Sequence, residues 1–350
     1  PMSLLSLLMA LTASLIFIFL ATSVMVKRGW MIDVITHRSN HRNLASRGGG
    51  TCLLVVVTFT MLMAIGLGMP PPPPLFIMVL CAGALGVLDD VTTMTPLTKL
   101  GLMVLLSMVM AQLVGPLQSI PMPVGESILL PQGGGIFLSS FMILAFVNIY
   151  NFMDGLNGMA GSAGVIGLTF LVMLGAGGSA GLFLLLFVTA TALYGFTIRN
   201  VLTGRIFLGD AGSLSLGFLL IGSALYAHQT DSYTLYVFLI AFLPFIIDTT
   251  VTLFRRWRMK KSIFNAHKEH FYQKLRLKGY SHQAVAATYG AMILINGAVA
   301  YSLSHGFGGG GLWIAAILAI GLYAVSIRLL FQKAASKGAP ILAPSANIAE

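Results

Sequence analysis

Negative charge is what this 350-residue sequence has least of: ten acidic residues stand against twenty lysines and arginines, and all charged residues together make up 9%. So little charge excludes an ordinary soluble domain, which devotes about a quarter of its residues to charged side chains. Cysteine is nearly missing as well. Cys52 and Cys81 lie in separate apolar runs with no CxxC spacing and no histidines clustered around them, which excludes a thiol metal or redox motif; both read as small buried hydrophobes. No linker-like shift in composition divides the chain, so residues 1–350 read as a single integral-membrane domain.

What the sequence does have is apolar length. Hydrophobic residues make up 57%, and the mean hydropathy is +0.90. Apolar runs of about 20 residues recur along the chain, which is the length a helix needs to cross a bilayer. Spans near 3–26, 51–69, 75–88, 99–117, 136–153, 158–177, 180–198, 211–228, 234–254, 284–304 and 311–331 predict an all-α polytopic bundle of about eleven transmembrane helices. The third is short and borders the proline run "PPPPP". The first exceeds a signal-peptide core and lacks a small-residue cleavage pattern before Lys27 and Arg28, so it reads as a retained span.

A net charge of +10 invites a nucleic-acid reading, which the placement of the basic residues excludes. Five fall in 27–50, one in 89–99, two in 199–205, nine in 255–278 and three in 328–337, which accounts for all twenty. With simple alternation every one of these connections lies on one side, and the opposite ones, among them "HGFGGGG", carry none. The excess of lysine and arginine marks that side as cytoplasmic, with the N-terminus outside and the C-terminus inside. This places the protein in the inner, cytoplasmic membrane as a multi-pass chain whose polar site faces the cytoplasm.

The few acidic residues are not where solubility would put them. Asp89 and Asp90 end the run "CAGALGVLDD", Asp154 ends another, Asp210 opens "FLGDAGSLSLGF", and Asp248 sits within "PFIIDTTVTLF". Helix capping explains any one of them. Five carboxylates at one membrane face repel each other unless cations neutralise them, and hard oxygen donors select Mg²⁺, with Mn²⁺ as the alternative. Because Mg²⁺ is held by few carboxylates plus substrate phosphates, a phosphorylated or diphosphate ligand is implied. Glycines beside aspartate in "FLGDAGS" and "MDGLNG" allow a ligand to approach the backbone closely.

In "NIYNFMDGLNGMAG", Asn148, Asn151, Asp154 and Asn157 recur every third residue, which on a helix predicts one polar stripe. At membrane depth such a stripe must meet water, a partner or a ligand. The nine-basic segment holds His267 and His270 in HxxH spacing, where they could donate to a diphosphate; with no third ligand nearby, zinc is excluded. A bland reading has this segment contact anionic lipid head groups. His228 and His305 read as solvated loop residues, and His282 as a cap or surface residue at a helix start.

Taken in order, "GVLDD", "NIYNFMDGLNG", "FLGDAGS" and "AHKEHFYQKL" resemble the polyprenyl-phosphate N-acetylhexosamine-1-phosphate transferases, from "HRSNHRNLASRGGG" at 37–50 through the HxxH loop. The chain looks closest to the bacterial branch that starts O-antigen and related polysaccharides. The resemblance implies ten or eleven transmembrane helices, Mg²⁺, and transfer of a sugar phosphate from a UDP-N-acetylhexosamine to undecaprenyl phosphate with release of UMP; the expected partners are these substrates, the lipid bilayer and a second copy in a homodimer. Position by position it implies that Asp89 and Asp90 bind metal or activate the lipid phosphate, and that Asp210 binds Mg²⁺. It sets Asn148, Asn151, Asp154 and Asn157 against the nucleotide and diphosphate, with Lys99, Arg47, His267 and His270 as phosphate or substrate contacts. The chain departs from the family pattern twice. Asn157 stands where bacterial relatives usually have a second aspartate, and the loop before "RGGG" lacks their prolines.

Two other classes fit the residues less well. A cation-coupled carrier would set its aspartates near the bilayer midplane on broken helices, whereas these cluster at one face. A phosphatidyltransferase acting on CDP-linked lipids would need an arginine and a further aspartate pair after Asp154-Gly155, and neither follows.

Overall fold

The structure is a computed structural model that describes residues 4–33, 45–92, 94–176, 179–229, 233–262 and 267–336. It is a multi-pass helical membrane protein. The helices are α1 (Leu4–Arg28), α2 (Gly49–Gly66), α3 (Pro73–Thr92), α4 (Pro96–Val114), α5 (Gln132–Phe152), α6 (Met159–Leu171, continued by a π-turn at Val172–Ala176), α7 (Ala180–Thr203), α8 (Gly209–His228), α9 (Thr234–Ala241), α10 (Leu243–Arg258), α11 (Phe271–Leu277) and α12 (His282–Ser336). Two minimal antiparallel pairs, β1 (Ile32–Asp33) with β2 (Ala45–Ser46) and β3 (Ser119–Ile120) with β4 (Ile128–Leu129), close loops between them.

By length and composition eight of these helices can cross a membrane, or nine if the pair α9 and α10, bent by 62°, counts as one span. The apolar runs predict eleven. One difference is α6, which has only 13 residues before its π-turn. The other lies only in counting α12 as one helix: Gly308, with φ 56° and ψ −137°, breaks it, and its two halves pack antiparallel, with Tyr280 Oη donating to Leu330 O at 3.0 Å and Tyr289 Oη 3.5 Å from Tyr323 Oη, so it holds the two expected spans. The chain reverses within "HGFGGGG", where the sequence places the connection, by a tight break at Gly308 rather than a long open loop. The third span is full length after all. Pro73 opens α3, and proline is tolerated in a first turn whose N–H groups have no helical partner.

The bundle is organised around α8. In its most apolar stretch 89% of residues are buried inside the protein, against 17% for α1. It packs on α3, α5 and α2, and its own small residues, from Gly209 to Gly222, let those neighbours come close. α1, α4 and the outer face of α2 instead present leucine, valine and phenylalanine outward, such as Val55 and Phe59, as a lipid-facing surface requires. Cys52 is buried as expected, but Cys81 lies exposed on the outer face of α3, because the helix turns it away from the bundle.

Candidate functional site

The N-terminus of α8 is built by contacts between backbones that are distant in sequence. Gly86 of α3 packs so tightly that a Cβ there would lie 2.4 Å from the carbonyl of Asp210. The segment before α8 is strapped to the segment before α2: Ser46 N donates to Arg205 O (3.0 Å), Phe207 N to Ser46 O (2.7 Å), Gly49 N to Phe207 O (3.0 Å) and Gly50 N to Leu208 O (2.7 Å). Gly209 makes the turn with φ +68°, and a side chain there would strike the Arg47 carbonyl at 2.5 Å and Asp90 Oδ2 at 2.7 Å. The Asp90 carboxylate accepts from Asp210 N (3.1 Å) and Ala211 N (3.0 Å), so α3 caps α8. An anion at that helix start is favourable because the amides and the helix dipole both point at it. Arg47, exposed at the rim, lies within electrostatic reach of Asp90. Arg38 and residues 37–44 of the same loop lie outside the described residues.

The other carboxylates face Lys99, which projects from the first turn of α4 after the Thr95 cap, whose hydroxyl accepts from Thr98 N at 3.2 Å. Lys99 Nζ is 2.9 Å from Asp89 Oδ2 and also donates to Asp210 Oδ2. The second Asp89 oxygen accepts from Met94 N at 2.7 Å, which orients it across the α3–α4 turn. Asn151 donates both amide protons toward α8, to Asp210 Oδ1 (2.8 Å) and Ser213 Oγ (2.7 Å). Four helix ends thus bring together Asp89, Asp90, Lys99, Asn151 and Asp210, whose positions span more than a hundred residues.

The expected helical stripe does not form, because α5 ends at Phe152. Asn148 turns its amide back to Leu144 O at 2.8 Å, and Asp154 and Asn157 lie in the turn that follows. Four side chains grip this turn. Tyr150 Oη donates to Ala160 O (2.6 Å), Asn157 N to His282 Nδ1 (3.1 Å), Gly158 N to Asn200 Oδ1 (2.7 Å), and Tyr272 Oη to Phe152 O (2.9 Å). Asn200 also donates to Ile206 O at 2.8 Å, which joins the "MDGLNG" turn to the strap that precedes α8. Burial raises the Asp154 carboxyl well above the ordinary carboxylate range, and the neighbouring charges of Asp210 and Asp90 push it the same way.

The basic segment divides into two parts. Glu269 gathers Arg256 (2.6 Å), Arg255 (3.2 Å) and Lys261 (3.2 Å), so part of its positive charge is neutralised within the protein. His267 stacks on His270 with ring centroids 5.0 Å apart. Burial lowers the His267 pKa to about 4, and His270 and Arg256 add to the effect. His270 is buried, with Nδ1 3.2 Å from Asp248 Oδ1. The pair expected to reach a diphosphate together is therefore split: His267 is half-buried and His270 lies in the interior. Asp248 is fully buried, and its oxygens are held by His270, Phe271, Tyr272 and Tyr289 rather than by Lys99.

Of the residues that hold this site, Asn200, Tyr150 and Tyr272 are not singled out by sequence reasoning. Asn200, at the end of an apolar run in "TIRNVLTGR", is an amide like Asn151, but no motif surrounds it. The donor set fits a divalent cation. Asp89, Asp154 and Asp210 offer oxygen ligands beside Lys99, and a cation there would favour the ionised form of Asp154 that burial and its neighbours disfavour. The three expected ligands are not equivalent, because Asp90 is held by two backbone amides of α8 whereas Asp89 and Asp210 share the Lys99 side chain. Among the described residues no three acidic, histidine or cysteine side chains stand in an arrangement that would hold a metal unaided.

Comparison with known proteins bears on this geometry. Residues 73–228, which carry α3 through α8, match the model for glycosyl transferase family 4. An undecaprenyl-phosphate alpha-N-acetylglucosaminyl 1-phosphate transferase from Salmonella typhi is 29% identical over 91% of this chain and 89% of its own length. A decaprenyl-phosphate N-acetylglucosaminephosphotransferase from Mycobacterium tuberculosis is 27% identical over 59% of this chain and 58% of its own. A probable undecaprenyl-phosphate N-acetylglucosaminyl 1-phosphate transferase from Bacillus subtilis is 31% identical over 42% of each.

Proposed function

Because the chain belongs to the polyprenyl-phosphate N-acetylhexosamine-1-phosphate transferases, we infer that it moves an N-acetylhexosamine 1-phosphate from a UDP-sugar to undecaprenyl phosphate and releases UMP. The observation that carries this reading is the carboxylate cluster shared around Lys99 at the ends of α3, α4 and α8, with the Asp154 turn beside it. A lipid phosphate held at the membrane face meets a nucleotide diphosphate there. Its oxygen forms a bond to the sugar-bearing phosphorus, and the bond from that phosphorus to the UMP oxygen breaks. One phosphoanhydride replaces another, so the reaction is close to balanced and reversible. A phosphate monoester is largely ionised near neutral pH, so positioning matters more than a general base.

Asp210 and Asp154, with Asp89, would hold Mg²⁺ or Mn²⁺, and the ion when bound neutralises charge on the diphosphate and on the departing UMP. Asp90 caps α8 and so fixes Asp210. Lys99 offers a phosphate contact from within the cluster, Arg47 from the rim, and His267 from the basic segment. Asn151 orients Asp210, and Asn157 shapes the turn that carries Asp154. By the distribution of basic residues this site faces the cytoplasm at the inner membrane, where UDP-sugars are found. The relatives make N-acetylglucosamine the first sugar to try and initiation of O-antigen or a related envelope polysaccharide the role to test. The carrier reading fares worse, since these aspartates lie at helix ends and in a turn rather than at mid-span.

The test is UMP release by detergent-purified protein supplied with undecaprenyl phosphate, Mg²⁺, and in turn UDP-N-acetylglucosamine, UDP-N-acetylgalactosamine and a UDP-6-deoxy-N-acetyl sugar. Release with one sugar, abolished by EDTA and restored by Mg²⁺, is expected. Folded protein that releases UMP from none of them would overturn the reading.

A further inference from the structure

Asp248 is one of the five aspartates near the membrane face, yet it takes no part in the cluster around Lys99. It sits in α10, six residues beyond the bend at Phe242, and is fully buried. Donors converge on both of its oxygens. Oδ1 accepts from Phe271 N (2.9 Å) and Thr252 Oγ1 (3.4 Å) and lies 3.2 Å from His270 Nδ1; Oδ2 accepts from Tyr272 N (3.0 Å) and Tyr289 Oη (2.6 Å). A carboxylate is acceptor-only, with room for about four such bonds, so these partners saturate it.

The contacts lead on to the candidate site. Tyr272, whose amide Asp248 holds, is buried and stacks on His270 with centroids 5.7 Å apart. Its hydroxyl donates to Phe152 O, the last residue of α5. A Cβ at Gly155 would lie 2.1 Å from that hydroxyl, so the phenol rests directly against the residue after Asp154. Carboxylate, α11 backbone, phenol and turn form one unbroken series of contacts.

We propose that Asp248 and Tyr272 are positioning residues: Asp248 clamps the start of α11 onto the bent α10, and Tyr272 carries that clamp to the Asp154 turn. Neither touches substrate. The pair couples the basic segment, which carries His267, His270 and nine of the twenty lysines and arginines, to the placement of one carboxylate. In its kinetic consequences the proposal rests on the transferase reading above.

The variants are Asp248→Asn, Asp248→Glu, Tyr272→Phe and the double Asp248→Asn/Tyr272→Phe, each purified in detergent as the full chain. With UDP-N-acetylglucosamine and undecaprenyl phosphate, Tyr272→Phe and Asp248→Asn are each expected to lower kcat per folded molecule about tenfold, with KM for the UDP-sugar little changed. The double variant should lose no more than the worse single one, because both act through the same contact series. Asp248→Glu, which keeps two acceptor oxygens, should retain more activity than the amide. A second measurement needs no activity. Trypsin should cut at Arg276 and Lys278 about tenfold faster in Asp248→Asn than in the unsubstituted protein, because the clamp no longer holds α11 closed. If activity falls only in proportion to folded protein, or the two single losses multiply in the double variant, the positioning role is overturned. If the unsubstituted protein shows no transferase activity, the transferase reading fails and the trypsin result alone decides the clamp: unchanged cleavage overturns it.

Discussion

At the scale of single residues, the site separates groups that hold structure from groups that face a ligand. Asp90 and Asp210 are both aspartates at helix ends, but Asp90 spends its oxygens on α8 amides, while Asp210 shares a lysine and an asparagine at the front of the cluster. Asp210→Asn keeps the shape and removes the charge that would hold a metal. UMP release is therefore expected to fall at least about a hundredfold while the detergent melting temperature is kept, since losing a metal contact forfeits several kcal/mol of charge stabilisation. Near-normal turnover at saturating Mg²⁺ would remove Asp210 from the metal set. His267 makes a prediction about pH. Its pKa is about 4 in the folded protein, below the ordinary histidine value of 6.5, so as pH falls the unfolded chain takes up a proton that the folded one refuses. The contribution to stability is present above about 6.5 and is lost as pH drops toward 4. His267→Gln should flatten that part of the decline when melting temperature is followed from about pH 7 to about pH 4.5, and a variant that loses stability as steeply as the original would show that burial of this ring does not matter.

At the scale of elements, what assembles the site is close helix packing. α3 and α8 touch backbone to backbone at Gly86 and Asp210, and the geometry leaves no room for a methyl group. Gly86→Ala must push the end of α3 away from α8, and with it the Asp90 cap and the Asp89 contact to Lys99. Loss of activity is expected to exceed loss of stability: turnover down about tenfold or more, with an unfolding cost of about 1–3 kcal/mol, as for other overpacked contacts. A Gly86→Ala protein with full turnover would show that α3 can shift without moving its aspartates. α5 depends on its neighbours in the same way. Its threefold amide spacing suggests one long stripe, but the helix stops at Phe152 because Gly155 and Gly158, the latter at φ +83°, favour a turn that Tyr150, Asn200, His282 and Tyr272 then hold.

At the scale of the whole molecule, the orientation in the membrane remains the premise of every cytoplasmic assignment. With α6 and its π-turn counted as a span and α12 as two, alternation puts all twenty basic residues on one side, and carrying nine of them across the bilayer against the membrane potential is strongly unfavourable. Single cysteines at Ser127, in the exposed β3–β4 loop without a basic residue, and at Ser262, within the basic segment, would test this in a background lacking Cys52 and Cys81. An impermeant thiol reagent applied to intact cells should label position 127 and not 262. Labelling at 262 would put the basic segment on the side that UDP-sugars do not reach, and the transferase reading would fall with it.

Composition and hydropathy were sufficient for the membrane class, and local motifs were sufficient to pick out Asp89, Asp90, Asp154 and Asp210 as residues that belong together, because apolar surroundings make every buried charge conspicuous. Cap residues such as Thr95 and the proline start of α3 were legible for the same reason: their partners lie within a few positions. What the linear order could not reveal is which helix end meets which. Asp248 and Asp210 look alike in sequence, each an aspartate in an apolar run, yet one is enclosed by Tyr289, Tyr272 and His270 and the other faces Lys99. That difference depends on α3 lying against α8 and on α11 folding back onto α10, contacts made across as many as 120 residues. A side chain's role follows from its neighbours, and in a helical bundle the neighbours are chosen by packing.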